Sequence, residues 1–393
     1  MKRYDFDELI DRRGTNCLKI DGMKKAYGVE DAVAMWVADM DFRTPDFVME
    51  AIRQRCTHEI LGYTFPSDEY FQSIVDWMRE RHHWKIEKEH LTFLPGIVPG
   101  LAHCLNAFTK PGDKVLIHTP VYMPFHWIPD NLHRVAITSY LIIKEGRYVM
   151  DFASMEKEFS EGCKVMILCN PHNPGGRVWS ADELRQLSAL CEKQGVFVIS
   201  DEIHADLTLN GAVHTPFASL SEYAFHHTIT LMAPSKTFNI AGLATSYSVI
   251  GDPALRSRFV HYLHATELNN GTIFAYLAAQ AAYDNGADWV GQLTDYLWGN
   301  VTLVRDFLSL QLPAIHPMIP EATYMVWLDC RELGMSQKEL RHFFYHEARV
   351  VMNDGTTFGP GGEGFMRMNL ATPRCNVVKA LEGIKSAFDK LGE

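Results

Sequence analysis

The sequence predicts an α/β fold, with a large domain built on a mostly parallel β-sheet between helices and a smaller α+β domain. Two observations lead to this prediction. In the middle of the chain, short β-branched apolar runs alternate with helical patterns, as they do in βαβ units. From about residue 290 the pattern changes to long helical periods followed by two further strand-like runs. At 393 residues the chain is long enough to build both domains.

The strands are predicted from their composition, because parallel strands that are buried on both faces are continuously apolar and β-branched. The runs in the sheet are HLTFLPG (90–96), KVLIH (114–118), KVMILCN (164–170), GVFVIS (195–200), TITLMA (228–233) and TSYSVIG (245–251), and those in the C-terminal part are ATYMVWLDC (322–330) and GFMRMNLA (364–371). Between 170 and 195 a helix is indicated. Ser180 and Glu183 form a capping-box pattern at its start, and Gly195 marks its end.

The change of pattern along the chain sets the expected domain division. No low-complexity segment, internal repeat or linker rich in proline and serine interrupts the sequence. We expect the large domain to cover residues 46–289. The small domain is expected to combine residues 1–45 with residues 290–393, so that the N-terminal segment joins the C-terminal part.

Composition and charge disfavour several classes of protein. The net charge of −11 and the scattered basic residues argue against nucleic acid or an anionic membrane as the main partner. The N-terminus MKRYDFDELIDRR is charged throughout, unlike a signal peptide, and the uncharged, apolar-leaning run 268–283 is too short and polar to span a bilayer. The eight cysteines form no C-x-x-C pair, which indicates reduced thiols in a cytoplasmic protein. No metal is expected, because the histidines at 261 and 264 lack a third ligand.

Polar residues follow two of the predicted strands, at the edge where ligands bind in open α/β sheets. Asn173 follows the run at 164–170 in a rigid turn of Asn-Pro and Gly-Gly steps, and Asp201 follows the run at 195–200. Asn173 could donate a hydrogen bond to a ligand or could simply shape the turn. Asp201 could bind a metal, act as a base, pair with a cationic heterocycle or remain a solvated loop residue.

Lys236 lies in APSKTFNIAGL (233–243), a stretch with no other charged residue until Asp252. A lysine loses much of its hydration on burial unless it is paired or neutral, so its apolar surroundings need a reason. One explanation is a side chain that packs along apolar surface while its ammonium group stays in water. The other is an amine that is kept neutral enough to act as a nucleophile or to form a Schiff base.

Two further features lie near the same edge. The helix predicted at 96–108 begins with a glycine turn, so its N-terminal amides could bind a phosphate. Tyr122, just after the run at 114–118, could stack on a planar ring. Together with the asparagine, aspartate and lysine described above, they predict a site for a phosphorylated aromatic cofactor held through an amine. That cofactor is pyridoxal 5'-phosphate (PLP).

Three segments carry a resemblance to a known family: NPHNPGGRVWS (170–180), SDEIHADL (200–207) and APSKTFNIAGL (233–243). They resemble the fold-type I PLP enzymes of the class I/II aminotransferase family, and within it the cystathionine β-lyase branch, the cysteine-S-conjugate C–S lyases. Further agreement with that branch lies in MWVADMDF (35–42), GYT (62–64), PVYMPF (120–125), PEATYMVWLD (320–329) and GFMRMNLATP (364–373). The resemblance runs from about residue 12 to the end, and it implies the fold-type I architecture with a seven-stranded sheet.

The resemblance implies a role for each matched residue. Lys236 would hold PLP in a Schiff base and move the proton at Cα of the substrate, and Asp201 would keep the ring nitrogen protonated. Asn173 would bind the phenolic oxygen O3′, Tyr122 would stack on the ring, and Arg367 would bind the α-carboxylate of the substrate. Lys236, Asp201 and Tyr122 would thus be the catalytic residues. The remaining cofactor contacts would come from Gly96, Ile97, Val98 and Ser235 at the phosphate and from Tyr63 of the partner subunit, which implies a homodimer with shared active sites.

Four positions differ from what the resemblance leads us to expect. His204 stands where the broader aminotransferases often have tyrosine; it also suits O3′ and is expected to titrate nearer neutrality. Ala244 stands where many of them have a phosphate-binding arginine. Cys17 and Ile20 stand where the branch is expected to have serine and tryptophan, near the substrate entrance.

The segment GPGGEG (359–364) matches the dinucleotide fingerprint G-x-G-x-x-G. A true fingerprint follows a strand and opens a helix, whereas this one runs into the strand-like FMRMNLA. We therefore predict a loop before Arg367 and not a nucleotide site.

The resemblance implies β-elimination from L-cystathionine or a related cysteine S-conjugate, which yields pyruvate, ammonia and a thiol. Cystathionine, cystine and cysteine all remain possible substrates. The alternative on the same scaffold is an aminotransferase, and a third possibility is a regulatory protein that uses the fold to bind a protein partner. The matched motifs contain one arginine for a carboxylate, Arg367, and no second one for a distal carboxylate, which disfavours aspartate and glutamate as amino donors.

Overall fold

The protein is built on two main β-sheets with helices packed around them. The computed structural model describes residues 2–391. Its strands are β1 (Val33–Ala34), β2 (Leu91–Leu94), β3 (Lys114–Thr119), β4 (Val135–Tyr140), β5 (Ile142–Lys144), β6 (Arg147–Val149), β7 (Val165–Cys169), β8 (Phe197–Asp201), β9 (Thr228–Met232), β10 (Ser246–Val249), β11 (His316–Met318), β12 (Met325–Asp329), β13 (Val350–Val351), β14 (Asn353–Asp354) and β15 (Phe365–Asn369). Every strand predicted from the sequence is confirmed within a few residues at its ends.

The helices are α1 (Met23–Tyr27), α2 (Asp46–Cys56), α3 (Asp68–His82), α4 (Ile97–Phe108), α5 (Pro124–Asn131), α6 (Phe152–Ser160), α7 (Ala181–Gln194), α8 (Glu222–His226), α9 (Pro234–Thr237), α10 (Pro253–Ala265), α11 (Ile273–Asn285), α12 (Ala287–Gln311), α13 (Gln337–His342) and α14 (Arg374–Asp389). The caps of α7 are those predicted. The Ser180 hydroxyl accepts from the Glu183 amide, the Glu183 carboxylate accepts from the Ser180 amide, and Gly195 ends the helix in the left-handed conformation, with φ of 65°.

The large sheet has seven strands in the order β2-β10-β9-β8-β7-β3-β4. The pairs β3–β4, β3–β7, β7–β8 and β8–β9 are parallel, and only β10 runs antiparallel to its neighbours β9 and β2. Five of these strands therefore point their carboxyl ends to the same edge as β9: β2, β3, β4, β7 and β8. The predicted mostly parallel seven-stranded sheet is confirmed.

Both faces of this sheet are covered by helices. Side chains alternate along a strand, so neighbouring residues pack on opposite faces. Ile117 and Ile167 pack in one cluster with residues of α4 and α10, such as Leu101. Leu116 and Met166, their neighbours along β3 and β7, pack in a second cluster with residues of α6 and α7. Burial on both faces explains why the strands read as continuous apolar runs.

A second sheet has the order β11-β12-β15-β14, with antiparallel pairs throughout. The N-terminal segment reaches this C-terminal part through β1, which pairs in parallel with β13. This pairing agrees with the idea that the two chain ends form one unit. The predicted division at residues 45 and 289 stays a prediction, and α12, which begins at Ala287, runs across the second of these positions.

The segment 359–364 is a loop that leads directly into β15, as the sequence predicted. Gly359, Gly361 and Gly364 have φ of 91°, 85° and 80°, the left-handed region in which glycine is favoured. Within residues 2–391, no helix combines the length and the apolar character that a membrane-spanning helix requires.

Candidate active site

The predicted site residues follow parallel strands at one edge of the large sheet. Tyr122 follows β3, Asn173 follows β7, Asp201 is the last residue of β8, and Lys236 lies in α9 directly after β9. Gly96 follows β2 as the N-cap residue of α4. Because these five strands share one direction, the structure places all five residues at the edge where open α/β sheets bind ligands.

Lys236 is partly buried and has its amine fixed to the main chain. Nζ donates a hydrogen bond to the carbonyl oxygen of Ala38 at 2.6 Å, and the hydroxyl of Tyr324 donates to the same oxygen at 2.9 Å. The pKa of Lys236 is lowered to about 8, chiefly by burial and also by the charge of Arg367, while the carboxylates of Asp39 and Asp201 act in the opposite direction. Of the two explanations for this lysine, the structure favours an amine that is available in its neutral form.

Asp201 is 4% exposed and accepts one hydrogen bond, from the Ile203 amide to Oδ1 at 3.1 Å. Burial raises the pKa of Asp201 to about 7, while the charge of Lys236 acts in the opposite direction. A carboxylate in such surroundings is stabilised in its ionised form by a cationic partner within a few ångströms. Pairing with a cationic heterocycle is therefore the interpretation of Asp201 that these surroundings favour.

Arg367 lies in β15 and reaches the large-sheet edge from the second sheet. It is 2% exposed; its Nη1 donates to Asn173 Oδ1 at 3.0 Å, and its Nη2 donates to Asn353 Oδ1 at 2.6 Å and to the carbonyl oxygen of Trp36 at 3.1 Å. The guanidinium lies 4.8 Å from the centre of the Phe358 ring, and burial lowers its pKa to about 10. Its buried Nε makes no hydrogen bond within residues 2–391, so the group keeps donor capacity.

The contact between Arg367 and Asn173 orients the amide of Asn173. Since Oδ1 accepts from the guanidinium, Nδ2 is the end that remains to donate. The main chain of Asn173 is fixed as well, because its carbonyl oxygen accepts from the Tyr122 amide at 3.0 Å. Of the two possibilities for Asn173, the structure thus supports a donor toward a ligand oxygen at the end of β7.

His204 is buried at the same edge, with its ring centre 6.0 Å from that of Tyr324 in an edge-on arrangement. Burial lowers the pKa of His204 to about 3, and the charges of Lys236 and Arg367 act in the same direction. The expectation that His204 titrates near neutrality is therefore wrong. The imidazole is neutral at physiological pH and can still donate from one of its nitrogens.

The phosphate-binding residues expected from the resemblance lie at two helix starts. Gly96 has φ of 144°, which suits glycine, and it opens α4, whose first residues are Ile97 and Val98. Ser235 lies in α9 beside Lys236 and is 8% exposed. The 12-residue helix α4 packs over β8 and β9, so its N-terminal amides point toward the same edge as Asp201 and Lys236.

Tyr63 is the one predicted site residue that the chain does not bring into this buried group. It lies between α2 and α3 and is fully exposed, at 111% of the reference area. Ile60, Leu61 and Phe65 in the same segment are also exposed, at 69%, 63% and 82%.

Several groups at the site could not have been identified from the sequence. Trp36 and Ala38, both in MWVADMDF (35–42), contribute main-chain oxygens. Every residue type has such an oxygen, so the sequence does not reveal this contribution. Tyr324 lies in the quoted segment PEATYMVWLD, but nothing in the sequence joins its hydroxyl to Ala38. Asn353 begins β14, a two-residue strand that is too short to leave a periodic pattern in the sequence. In the described part of the chain, no group of three or more His, Cys, Asp or Glu side chains is placed to hold a metal ion.

Comparison with known proteins adds to this geometry. The model of the family "Aminotransferase class I and II" matches residues 31–384. The chain is 42% identical to the cystathionine beta-lyase PatB of Bacillus subtilis over 385 residues, which cover 98% of this chain and 100% of PatB.

Two solved structures show the same architecture. Cystalysin from Treponema denticola, which contains a pyridoxal 5'-phosphate cofactor, superposes with a TM-score of 0.96 at 37% identity, over 99% of this chain and 100% of cystalysin. The PLP-bound C-S lyase from Staphylococcus hominis superposes with a TM-score of 0.91 at 38% identity, over 98% of both chains.

Proposed function

Because the chain belongs to the aminotransferase class I and II family, we propose that it is a PLP-dependent carbon–sulfur lyase. Its substrate is L-cystathionine or a related cysteine S-conjugate, and its products are pyruvate, ammonia and a thiol. The observation that carries this proposal is the placement of Lys236, Asp201 and Arg367 at one edge of the sheet, in a chain 42% identical to a cystathionine β-lyase along its whole length.

The residues at the site fit PLP. Asp201 is a buried carboxylate that favours a cationic partner, and a protonated pyridine nitrogen is such a partner. Lys236 supplies an amine with a lowered pKa, as a Schiff-base lysine requires. Asn173 keeps a donor for the phenolic oxygen, and the start of α4 supplies main-chain amides for a phosphate. When bound, PLP accepts the negative charge that develops at the α-carbon of an amino acid.

Each side chain then has a defined task. Asp201 keeps the ring nitrogen protonated. Arg367 binds the α-carboxylate of the substrate with the donors that Asn173, Asn353 and Trp36 leave free. Lys236 removes the proton from Cα, and a pKa of about 8 leaves about a tenth of an amine neutral at pH 7.

The tasks of the remaining predicted residues follow from their positions. Tyr122, whose main-chain amide donates a hydrogen bond to the Asn173 carbonyl oxygen, would pack on the cofactor ring, and neutral His204 would donate toward the phenolic oxygen. Ile97, Val98 and Ser235 bind the phosphate together with Gly96.

Elimination and transamination begin with removal of the same proton, so the site must favour loss of the sulfur substituent over protonation at the cofactor. A thiolate leaves readily because thiolates are weaker bases than alkoxides. A tenfold bias between the two outcomes needs about 1.4 kcal/mol between their barriers. The proposal of a lyase therefore requires only a modest kinetic preference, and the product decides between it and an aminotransferase.

Incubation of the purified, PLP-loaded protein with L-cystathionine should release pyruvate and homocysteine in equal amounts without an added keto acid. Pyruvate is measured by reduction with lactate dehydrogenase and the thiol by a colorimetric reagent. Cystine and cysteine, tested in parallel, identify the preferred sulfur amino acid. Turnover that needs an added keto acid and yields a new amino acid would instead establish an aminotransferase.

We further propose that the active unit is a homodimer and that Tyr63 completes the site of the partner subunit. The exposed apolar residues Ile60, Leu61 and Phe65 beside it support this proposal, since an exposed apolar patch of this kind is typical of an interface. Tyr63 cannot contribute to the buried site of its own chain from a fully exposed position.

Mixed dimers test this arrangement. Tyr63→Ala and Lys236→Ala chains should each be inactive or weakly active alone. Mixed together, they should form one complete site per heterodimer, which gives about half of the activity of a wild-type dimer. The recovered site combines Lys236 of one chain with Tyr63 of the other. Tyr140→Ala, which removes another exposed tyrosine, serves as the control and should stay active without mixing. Proven heterodimers without recovered activity would place the complete site within one chain.

A further inference from the structure

The 36–41 segment (WVADMD) gives one main-chain oxygen to each cationic group of the site. The carbonyl oxygen of Ala38 accepts from Lys236 Nζ at 2.6 Å, and that of Trp36 accepts from Arg367 Nη2 at 3.1 Å. The segment lies outside any helix or strand, so no regular hydrogen-bond ladder fixes these oxygens. Their positions must depend on what anchors the segment.

A compact ion cluster supplies part of the anchorage, beside the Asn239 side chain, which hydrogen-bonds the main chain of Met40. Both nitrogens of the Arg12 fork reach the Asp39 carboxylate, at 3.1 Å from Oδ1 and 2.6 Å from Oδ2, and Nη1 also reaches Asp41 at 2.7 Å. Lys19 Nζ lies 2.8 Å from Asp41 and 3.8 Å from Asp39. Two cations thus balance two carboxylates. Asn369 adds hydrogen bonds from Nδ2 to the main-chain oxygens of Val37 and Asp39 at 2.5 and 2.8 Å.

Burial distinguishes this cluster from an ordinary surface ion pair. The side chain of Lys19 is 0% exposed, although the residues around it in the N-terminal segment are mostly exposed. Burial opposes ionisation of Asp41, but the charge of Lys19 and the hydrogen bonds from Lys19 and Arg12 outweigh it, so the pKa of Asp41 lies below its ordinary value. A buried lysine is retained only where it is paired in this way.

We propose that Asp39 is a positioning residue for the reaction: held by Arg12 and Lys19, it keeps the 36–41 segment where its oxygens orient Lys236 and Arg367. The inference rests on the proposed function in one respect, namely that this amine and this guanidinium belong to the active site. Asp39 itself touches neither the amine nor the guanidinium through a hydrogen bond, and it acts through the main chain on either side of it.

The charge of Asp39 gives the proposal a signed consequence. The groups that face Lys236 are the carboxylates of Asp39 and Asp201, the guanidinium of Arg367, the imidazole of His204 and the hydroxyl of Tyr324. Burial lowers the pKa of Lys236 and the Asp39 carboxylate raises it. Loss of the Asp39 charge should therefore lower this pKa further. Lys19 offsets part of the negative charge of Asp39 and Asp41, so loss of the Lys19 charge should raise the pKa of Lys236.

The test uses the PLP-loaded protein without substrate, because the visible absorbance of the cofactor reports protonation of the Lys236 nitrogen. Asp39→Asn should move the midpoint of its pH titration down by about one unit, and Lys19→Met should move it up. Hydrogen exchange of the amides in 36–42 should be faster in Asp39→Asn, and kcat/KM should fall about tenfold, or about 1.4 kcal/mol. The control is Asp11→Asn, which removes an exposed ion pair with Arg13 near Arg12 in the N-terminal stretch and should leave all three readouts unchanged.

The opposite signs separate an effect of the Asp39 charge from general loosening, and the hydrogen exchange of the segment reports the positioning. If the segment merely became looser, water would enter in both variants and both midpoints would move in the same direction, toward the value of the same nitrogen in water. Midpoints that move together, or that stay at the wild-type value while only the melting temperature falls, would overturn the proposal. The titration midpoint and the hydrogen exchange need no turnover, so these two outcomes are independent of which reaction the enzyme performs. If the wild type bound no chromophore, the proposed function would fail, and unchanged exchange in Asp39→Asn would then reject the positioning role separately.

Discussion

Lys236→Ala is expected to lower kcat by about 10⁴-fold or more, because one amine both anchors the cofactor and moves the Cα proton. The structure shows how the amine is prepared for both tasks. The amine is held at 2.6 Å from Ala38 in a partly buried position where its pKa is about 8, so that it is both oriented and available in its neutral form. Pyruvate release from L-cystathionine measures the loss.

Cofactor binding provides a second readout for Lys236. The wild type should be yellow after incubation with PLP and should retain the cofactor covalently after treatment with borohydride, whereas Lys236→Ala should release it on denaturation. Lys24→Ala is the matched control, since Lys24 is 72% exposed and pairs only with Glu30 at the surface. A wild type without any bound chromophore would contradict the assignment of the cofactor.

The large sheet could be predicted from sequence because its strands are buried on both faces and carry a continuous apolar signal. Strands such as β7 and β9 are buried at every residue. The pairing of β1 with β13 could not be predicted, because two-residue strands separated by more than 300 residues leave no periodic pattern. The antiparallel direction of β10 could not be predicted either, because an apolar run does not reveal in which direction a strand runs relative to its neighbours.

The same distinction applies to the candidate site. Asn173, Asp201 and Lys236 were predictable because each directly follows a recognisable strand, and the common direction of the strands brings them together. The oxygens of Trp36 and Ala38 were not, because their contribution depends on main-chain geometry set by tertiary contacts. The pKa of His204 was misjudged because its burial among Tyr324, Lys236 and Arg367 is a property of the folded chain.

Asp201→Ala is expected to retain PLP on Lys236 and yet to lower kcat by about 10³-fold or more. Without the carboxylate the pyridine nitrogen loses its proton, and the ring then accepts negative charge poorly. Asp201→Asn keeps the shape of the side chain and its contact with the Ile203 amide, so an equal loss in both variants would assign the effect to the charge. Near-normal turnover in either variant would show that another group protonates the ring.

Asp201 should also leave a pH-dependent signature in stability. Burial raises its pKa from 3.8 to about 7 in the folded chain, so its contribution to stability is complete below the lower value and is lost as the pH rises through the higher one. Cofactor-free wild type should therefore lose melting temperature relative to cofactor-free Asp201→Asn as the pH rises from about 4 to about 8. A protonated ring nitrogen beside the carboxylate offsets this cost. With PLP bound, the wild type should therefore no longer melt at a lower temperature than Asp201→Asn at the higher pH. A difference in melting temperature between the two proteins that changes neither with pH nor with PLP would mean that Asp201 does not pair with the cofactor ring.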